Sequence, residues 1–203
     1  MILPKASVAS ESYIGLVEAG VGVIPAGGGL KELVARVISG PMRTPHTDPL
    51  PLVQKVLETV AMAKVSTSAA EAAELGFLDE NDRIVMHRDH LLYEAKQDVL
   101  RMAAKGYVPP ARQPLYAGGR DVLAALHMAV WSLEQAGWAS PHDGLVARQV
   151  AQAISGGDAS EPQWLDEDHF LALERQGFVD LIATEKTQAR VEHMLKTGKP
   201  LRN

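Results

Sequence analysis

Tyr13, Gly15 and Val17 alternate with Ile14, Leu16 and Glu18, the two-residue period of a short strand. A second apolar piece, Val21 to Ile24, follows the Ala19-Gly20 break and stops at Pro25. The run Gly27-Gly28-Gly29 then leads into Leu30, Leu33, Val34 and Val37, spaced for one face of a helix that Gly40-Pro41 should close. A strand, a glycine-rich loop and a helix are therefore expected in succession. Prolines interrupt 41–51, so this stretch reads as a loop into a helix over 52–63, with Val53, Val56, Leu57 and Val60 on one stripe. Ser68 and Glu71 have capping-box spacing ahead of a short helix that Gly76 would end.

Residues 84–86 suit one more strand, after which Leu92, Ala95, Val99 and Met102 mark the inward face of a helix stopping at Gly106. Strand signals end there. The proline-containing segment 106–114 reads as a connector, beyond which Val122, Leu126, Val130 and Leu133 form an amphipathic stripe. Further helices are expected over 144–154, 166–182 and 185–195. The expected fold is α/β and mostly helical, with a core over 1–106 and a helical C-terminal region over 107–203. A sheet of two or three short strands leaves unpaired edges and an uncovered face, so a further segment or a second copy should complete it.

Composition narrows the function classes. Against 20 Lys+Arg stand 25 Asp+Glu, a formal charge of −5, which disfavours a nucleic-acid partner because phosphate neutralisation needs a basic face. With 46% hydrophobic and 22% charged residues, the chain has the make-up of a globular protein of one domain or two small ones. The absence of cysteine removes disulfides, thiolate metal sites and cysteine nucleophiles together. The opening Met1-Ile2-Leu3-Pro4-Lys5 lacks the pattern of a secretion signal, and no apolar run reaches about 18 residues, so a cytoplasmic location without a membrane span is expected. The histidines, at 46, 87, 90, 127, 142, 169 and 193, form no HExxH, so scattered surface positions are expected and no metal site is assigned. Trp131, Trp138 and Trp164 are expected to anchor the core or an interface.

Candidate chemistry concentrates in 13–29. An acidic residue at a strand end, Glu18, precedes Pro25 by seven positions, and Ala26-Gly27-Gly28-Gly29 turns into a helix. This segment resembles the crotonase superfamily of enoyl-CoA hydratases and isomerases, which carries a glutamate, a proline at the same interval and a glycine-rich turn. Downstream, Ser68-Ala-Ala-Glu71-Ala-Ala-Glu-Leu75-Gly76-Phe-Leu78 is similar to a second element of that family. Residues 82–96, the connector and the terminal 194–203 extend the resemblance to the C-terminal crotonase part of a multifunctional 3-hydroxyacyl-CoA dehydrogenase, so that it spans nearly the whole chain.

The resemblance implies a partial crotonase-like spiral fold with a helical extension, acting in fatty-acid β-oxidation. The reaction is syn addition of water to an enoyl-CoA thioester, with one glutamate acting as base toward the water and a second as acid toward C2. Glu18 matches the second glutamate. Pro25, Ala26, Gly27 and Gly28 match the substrate-side turn, with the Ala26 amide at a position that helps hold the water, and an acyl-CoA is the implied substrate. The family's first glutamate and its oxyanion donors belong to a Gly-Gly-Gly-Cys-Glu type segment that is not found in these residues. One acid–base group is worth about 10²–10⁴-fold and one oxyanion donor about 3 kcal/mol, so the chain alone should be inactive. No GxGxxG follows a strand, so no NAD site is assigned here; NAD would belong to a dehydrogenase part.

Plainer readings stand beside these. Most glutamates at strand ends are solvated. Lys31 could touch a CoA phosphate, although a solvated lysine is the simpler expectation. The whole chain could instead be a non-catalytic helical module retained for self-association, and within the family reading an isomerase needs only one glutamate.

Overall fold

The computed structural model describes residues 6–203. The reading of 1–5 as lacking a leader falls outside these residues. In chain order the elements are β1 (Ser7–Ala9), a 3-10 turn (Glu18–Val21), α1 (Gly29–Leu33), a π-helical stretch (Val34–Ser39), α2 (Gly40–Met42), α3 (Pro49–Ala61), α4 (Ala69–Leu75), β2 (Arg83–Val85), a second 3-10 turn (Arg88–His90), α5 (Leu91–Ala104), β3 (Leu115–Ala117), α6 (Gly119–Gln135), α7 (Pro141–Ile154), β4 (Gln163–Leu165), α8 (Glu167–Ile182) and α9 (Glu185–Thr197). The protein is thus mostly helical with a few short strands, as expected. None of the described helices is long and apolar enough to cross a membrane.

The chain forms two compact units that interleave in sequence. One holds 6–15 and 65–112, the other 16–64 and 113–203. The sequence-based division into 1–106 and 107–203 is contiguous, whereas here the chain leaves the first unit after Gly15 and returns at Val65.

In the first unit β1 pairs parallel with β2, Val8 opposite Ile84. The Ala6 amide donates to Asp82 Oδ1 at 2.7 Å and continues this pairing. Ala69 and Ala72 of α4 pack with Leu78, against partly buried Val8, Ile14 and Phe77. Ser68 caps α4 by accepting from the Glu71 amide, but Glu71 reaches back to the backbone and hydroxyl of Thr67, so the box is offset by one residue. The expected inward face of α5 is not the one observed: Leu92 and Val99 are exposed, and Asp98 is its buried residue. A two-stranded sheet is too narrow to cover an apolar stripe. It instead presents Ser7 Oγ and Arg83, both of which bond Asp98.

The expected strand over 13–18 is also absent. Gly15 makes a single bridge to Val65, and Ile14 donates to Ser66 Oγ at 3.0 Å. A strand persists only against a partner edge. Without one beyond Gly15, local bonds win: Gly20 N to Val17 O and Gly22 N to Ala19 O close the 3-10 turn.

The core of the second unit lies around α7, whose Val146, Val150, Ala151 and Ile154 are buried, with α3, α6 and α8 packed against it. α3 buries the expected Val53, Val56, Leu57 and Val60 but starts earlier than expected, because Asp48 caps it through the Leu50 amide and Pro49 occupies the first turn. Gly40-Pro41 does not close the preceding helix. The π register of Val34–Ser39 leads into α2 through Pro41, relieving the clash an α-turn would create with the carbonyl four residues earlier. Strand content does not end at residue 86 either: β3 and β4 pair antiparallel, Tyr116 opposite Trp164. Leu133, Trp131 and Trp138 are exposed on or beside α6 rather than in its core.

Candidate functional site

Glu18 begins the 3-10 turn and is half-buried. Its Oε2 is buried and has no hydrogen-bond partner among the described residues. Most buried carboxylate oxygens are bonded, so this atom is one of few such exceptions among the described residues. The turn is fastened from behind. Gly22 has a φ of +87°, and a Cβ there would lie 2.9 Å from Thr187 Oγ1 and 3.1 Å from Arg190 Cδ, so only glycine allows both the conformation and the approach of α9.

Thr187 donates its hydroxyl to Gly22 O at 2.7 Å, and His142 Nε2 lies 2.9 Å from the same Oγ1. With the hydroxyl proton committed to Gly22, His142 must be the donor. This histidine is 4% exposed and is therefore no surface residue, contrary to expectation. Burial lowers its pKa, and the positive charges of Arg190 and Lys186 add to the effect, outweighing Asp143. An imidazole depressed below its unfolded value of about 6.5 favours folding only while neutral. Stability should then hold above about pH 6.5 and fall as the pH drops below it. His127, lowered first by burial and then by Arg148, contributes in the same sense. Thermal melts between about pH 7.5 and 5.5 should show this slope, and His142→Gln should flatten it; an unchanged slope in that variant would remove the assignment.

Val23, Ile24 and Pro25 are buried, and Gly177 of α8 lets Ile24 pack closely, since a Cβ there would fall 2.6 Å from Ile24 Cδ1. Ala26 and Gly27 are exposed, and nothing lies within 4 Å of a Cβ built at Gly27. Gly28 is buried, with a φ of +94°. Of the residues named from the sequence, Pro25 and Gly28 are thus buried, whereas Ala26 and Gly27 form the open crest of the turn.

Lys31 is not solvated. Its side chain is 13% exposed and pairs with Glu32 and, at 3.4 Å, with Glu167. Burial opposes its charge, but these two carboxylates outweigh burial and raise its pKa. A cation already matched by two acids is a poor phosphate ligand.

Glu174 of α8 is a residue that sequence reasoning missed. It is 1% exposed, and its two oxygens accept from Gly28 N at 2.7 Å and from Lys31 N at 2.5 Å. Burial raises its pKa; the two amides and Lys31 oppose this, while the charge of Glu18 adds to it. Glu174 therefore bonds the glycine turn and feels the like charge of Glu18. Its position in α8 carries no local motif, so no sequence signal could have found it.

No protein-family model matches the chain. It is similar to part of a longer bacterial protein. Over 99% of its length it is 43% identical to a Bacillus subtilis (strain 168) protein named "Probable 3-hydroxyacyl-CoA dehydrogenase", of which it spans 25%. A carnitinyl-CoA hydratase from Mycobacterium avium aligns in structure with a TM-score of 0.49 and 17% identity, over 98% of this chain and 54% of that one.

Proposed function

We propose that these residues are part of an enoyl-CoA hydratase/isomerase-type domain of cytoplasmic fatty-acid β-oxidation, with Glu18 as one of its two acid–base carboxylates. The observation that carries this reading is the buried, unpartnered Oε2 of Glu18, a few residues before the exposed Ala26–Gly27 crest that Glu174 fastens at Gly28. In the reaction, Glu18 gives a proton to C2 while the other carboxylate takes one from the water, which the Ala26 amide of the crest helps hold. Glu174 cannot be the second carboxylate, since both its oxygens already accept backbone amides and it is sealed from solvent. The second carboxylate and the oxyanion donors come from a segment outside these residues, and the chain alone binds an enoyl-CoA without hydrating it. NAD is not bound here.

Calorimetric titration of this chain with crotonyl-CoA, alongside a hydration assay of the natural polypeptide carrying it, tests the reading. Binding by the chain and turnover by the longer protein are expected; a chain that binds no acyl-CoA removes it. The second reading, a self-associating module, is favoured by the exposure of Leu92, Tyr93, Val99 and Leu100 on α5. Sedimentation as an oligomer without acyl-CoA affinity would select it.

A further inference from the structure

Helix α1 begins at Gly29 and is preceded at its N-cap by Gly28, which has no side chain to cap it, so the free amides of its first turn need an acceptor from elsewhere. Glu174 supplies it, more than 140 residues away in sequence, with one oxygen for the Gly28 amide and the other for Lys31. This use of a carboxylate is costly. Its charge is desolvated, and the charged groups facing it are Lys31, already shared with Glu32 and Glu167, and the like-charged Glu18. A group whose pKa is raised on folding adds stability only while protonated and loses it once ionised. Yet the two amide donors require the ionised form, since a carboxylic acid would present its own proton to one of them. A buried charge held against its desolvation penalty, at the joint between two parts of one motif, points to positioning rather than stability.

We propose that Glu174 is a positioning residue that, as a carboxylate, holds the 26–28 turn in the form that presents Ala26 and Gly27 to a ligand. The inference deepens the enoyl-CoA reading and rests on it for the identity of that ligand. Glutamine is the diagnostic substitution: it keeps one acceptor, and in either orientation its NH2 faces one of the two amide donors.

Amide exchange by NMR on the whole chain tests the clamp with no ligand present. In wild type the protection of Gly28 and Lys31 should fall as the pH drops through the carboxylate range, while Val150 in the core stays protected. Glu174→Gln should lose at least about tenfold protection at one of the two amides at neutral pH, with no remaining pH dependence, and Glu174→Asp should recover part of it. Crotonyl-CoA should bind at least about tenfold more weakly to Glu174→Gln, beyond what any change in folded fraction explains. Should the glutamine variant fail to fold, the wild-type pH profile still decides. Protection independent of pH in wild type, wild-type protection in Glu174→Gln, or loosened amides with unchanged crotonyl-CoA affinity would each overturn the proposal. A wild type that binds no crotonyl-CoA sinks the enoyl-CoA reading alone, and the exchange profile then stands or falls by itself.

Discussion

Glu18→Gln is expected to lower crotonyl-CoA hydration by about 10²–10⁴-fold in the natural polypeptide that carries these residues, with little change in KM. Glutamine has the size of glutamate, so it fills the same space beneath the turn and removes only the ability to exchange a proton. The turn itself does not depend on this side chain. Its bonds run between backbone groups, Gly20 N to Val17 O, Gly22 N to Ala19 O and Val23 N to Glu18 O. Because Oε2 is buried without a partner, the substitution takes an acceptor away from no protein donor. The melting temperature should accordingly stay within about 3 °C of wild type, a shift corresponding to about 1 kcal/mol for a chain of this size. Undiminished turnover in a folded Glu18→Gln would show that the carboxylate takes no part in the chemistry. Loss of binding together with turnover would place its role in substrate affinity.

The second large effect concerns the support of that turn. Arg190 of α9 is 2% exposed, and its guanidinium donates to Asp143 Oδ1 at 2.7 Å and to Asn203 Oδ1 at 2.9 Å. Burial pushes Asp143 up, but the bonds from Arg190 and Ser140 outweigh it and hold this carboxylate below its usual range. Asp143 also completes the capping box of α7 with Ser140. Arg190→Ala should therefore strip the partner from a half-buried charge, loosen the start of the central helix and open the space against Gly22. Breaking a buried pair by removing one member typically costs about 3–5 kcal/mol, and the part-exposure of Asp143 puts the expected loss near 3 kcal/mol. Urea unfolding should show it as a lower midpoint with an unchanged slope. Lys196→Ala, which removes an exposed i,i+4 pair with Glu192, should leave the midpoint where it was. A change in Arg190→Ala as small as in that control would mean the buried cluster contributes nothing.

The elements readable from the sequence were those decided locally. α3 and its buried stripe, the Ser68 cap and Gly76 stop of α4, the extent of α8 and the irregular 107–114 all follow from spacing and capping chemistry that act within one or two helical turns. The misreadings share a different cause. Alternation over 13–18 did not become a strand because strand formation needs a neighbouring edge, and among the described residues one bridge, Gly15 to Val65, is all it finds there. The apolar stripe of α5 could not turn inward because the sheet beneath it is two strands wide. β3 and β4 went unread because each is a three-residue piece beside a proline, Pro114 and Pro162, in stretches that read as loop.

The site divides in the same way. The resemblance to the crotonase superfamily singled out Glu18, Pro25 and the glycine turn, because it is carried there by one short stretch of neighbouring residues. Only the folded chain decided that Lys31 is neutralised, that His142 is buried behind Gly22, and that Glu174 caps the glycine turn from another helix. Those contacts link residues 45 to 165 positions apart or answer a charge brought in by another helix. Burial and charge pairing depend on which helices meet, and helix packing is settled by the sum of many distant contacts that leave no periodic trace along the chain.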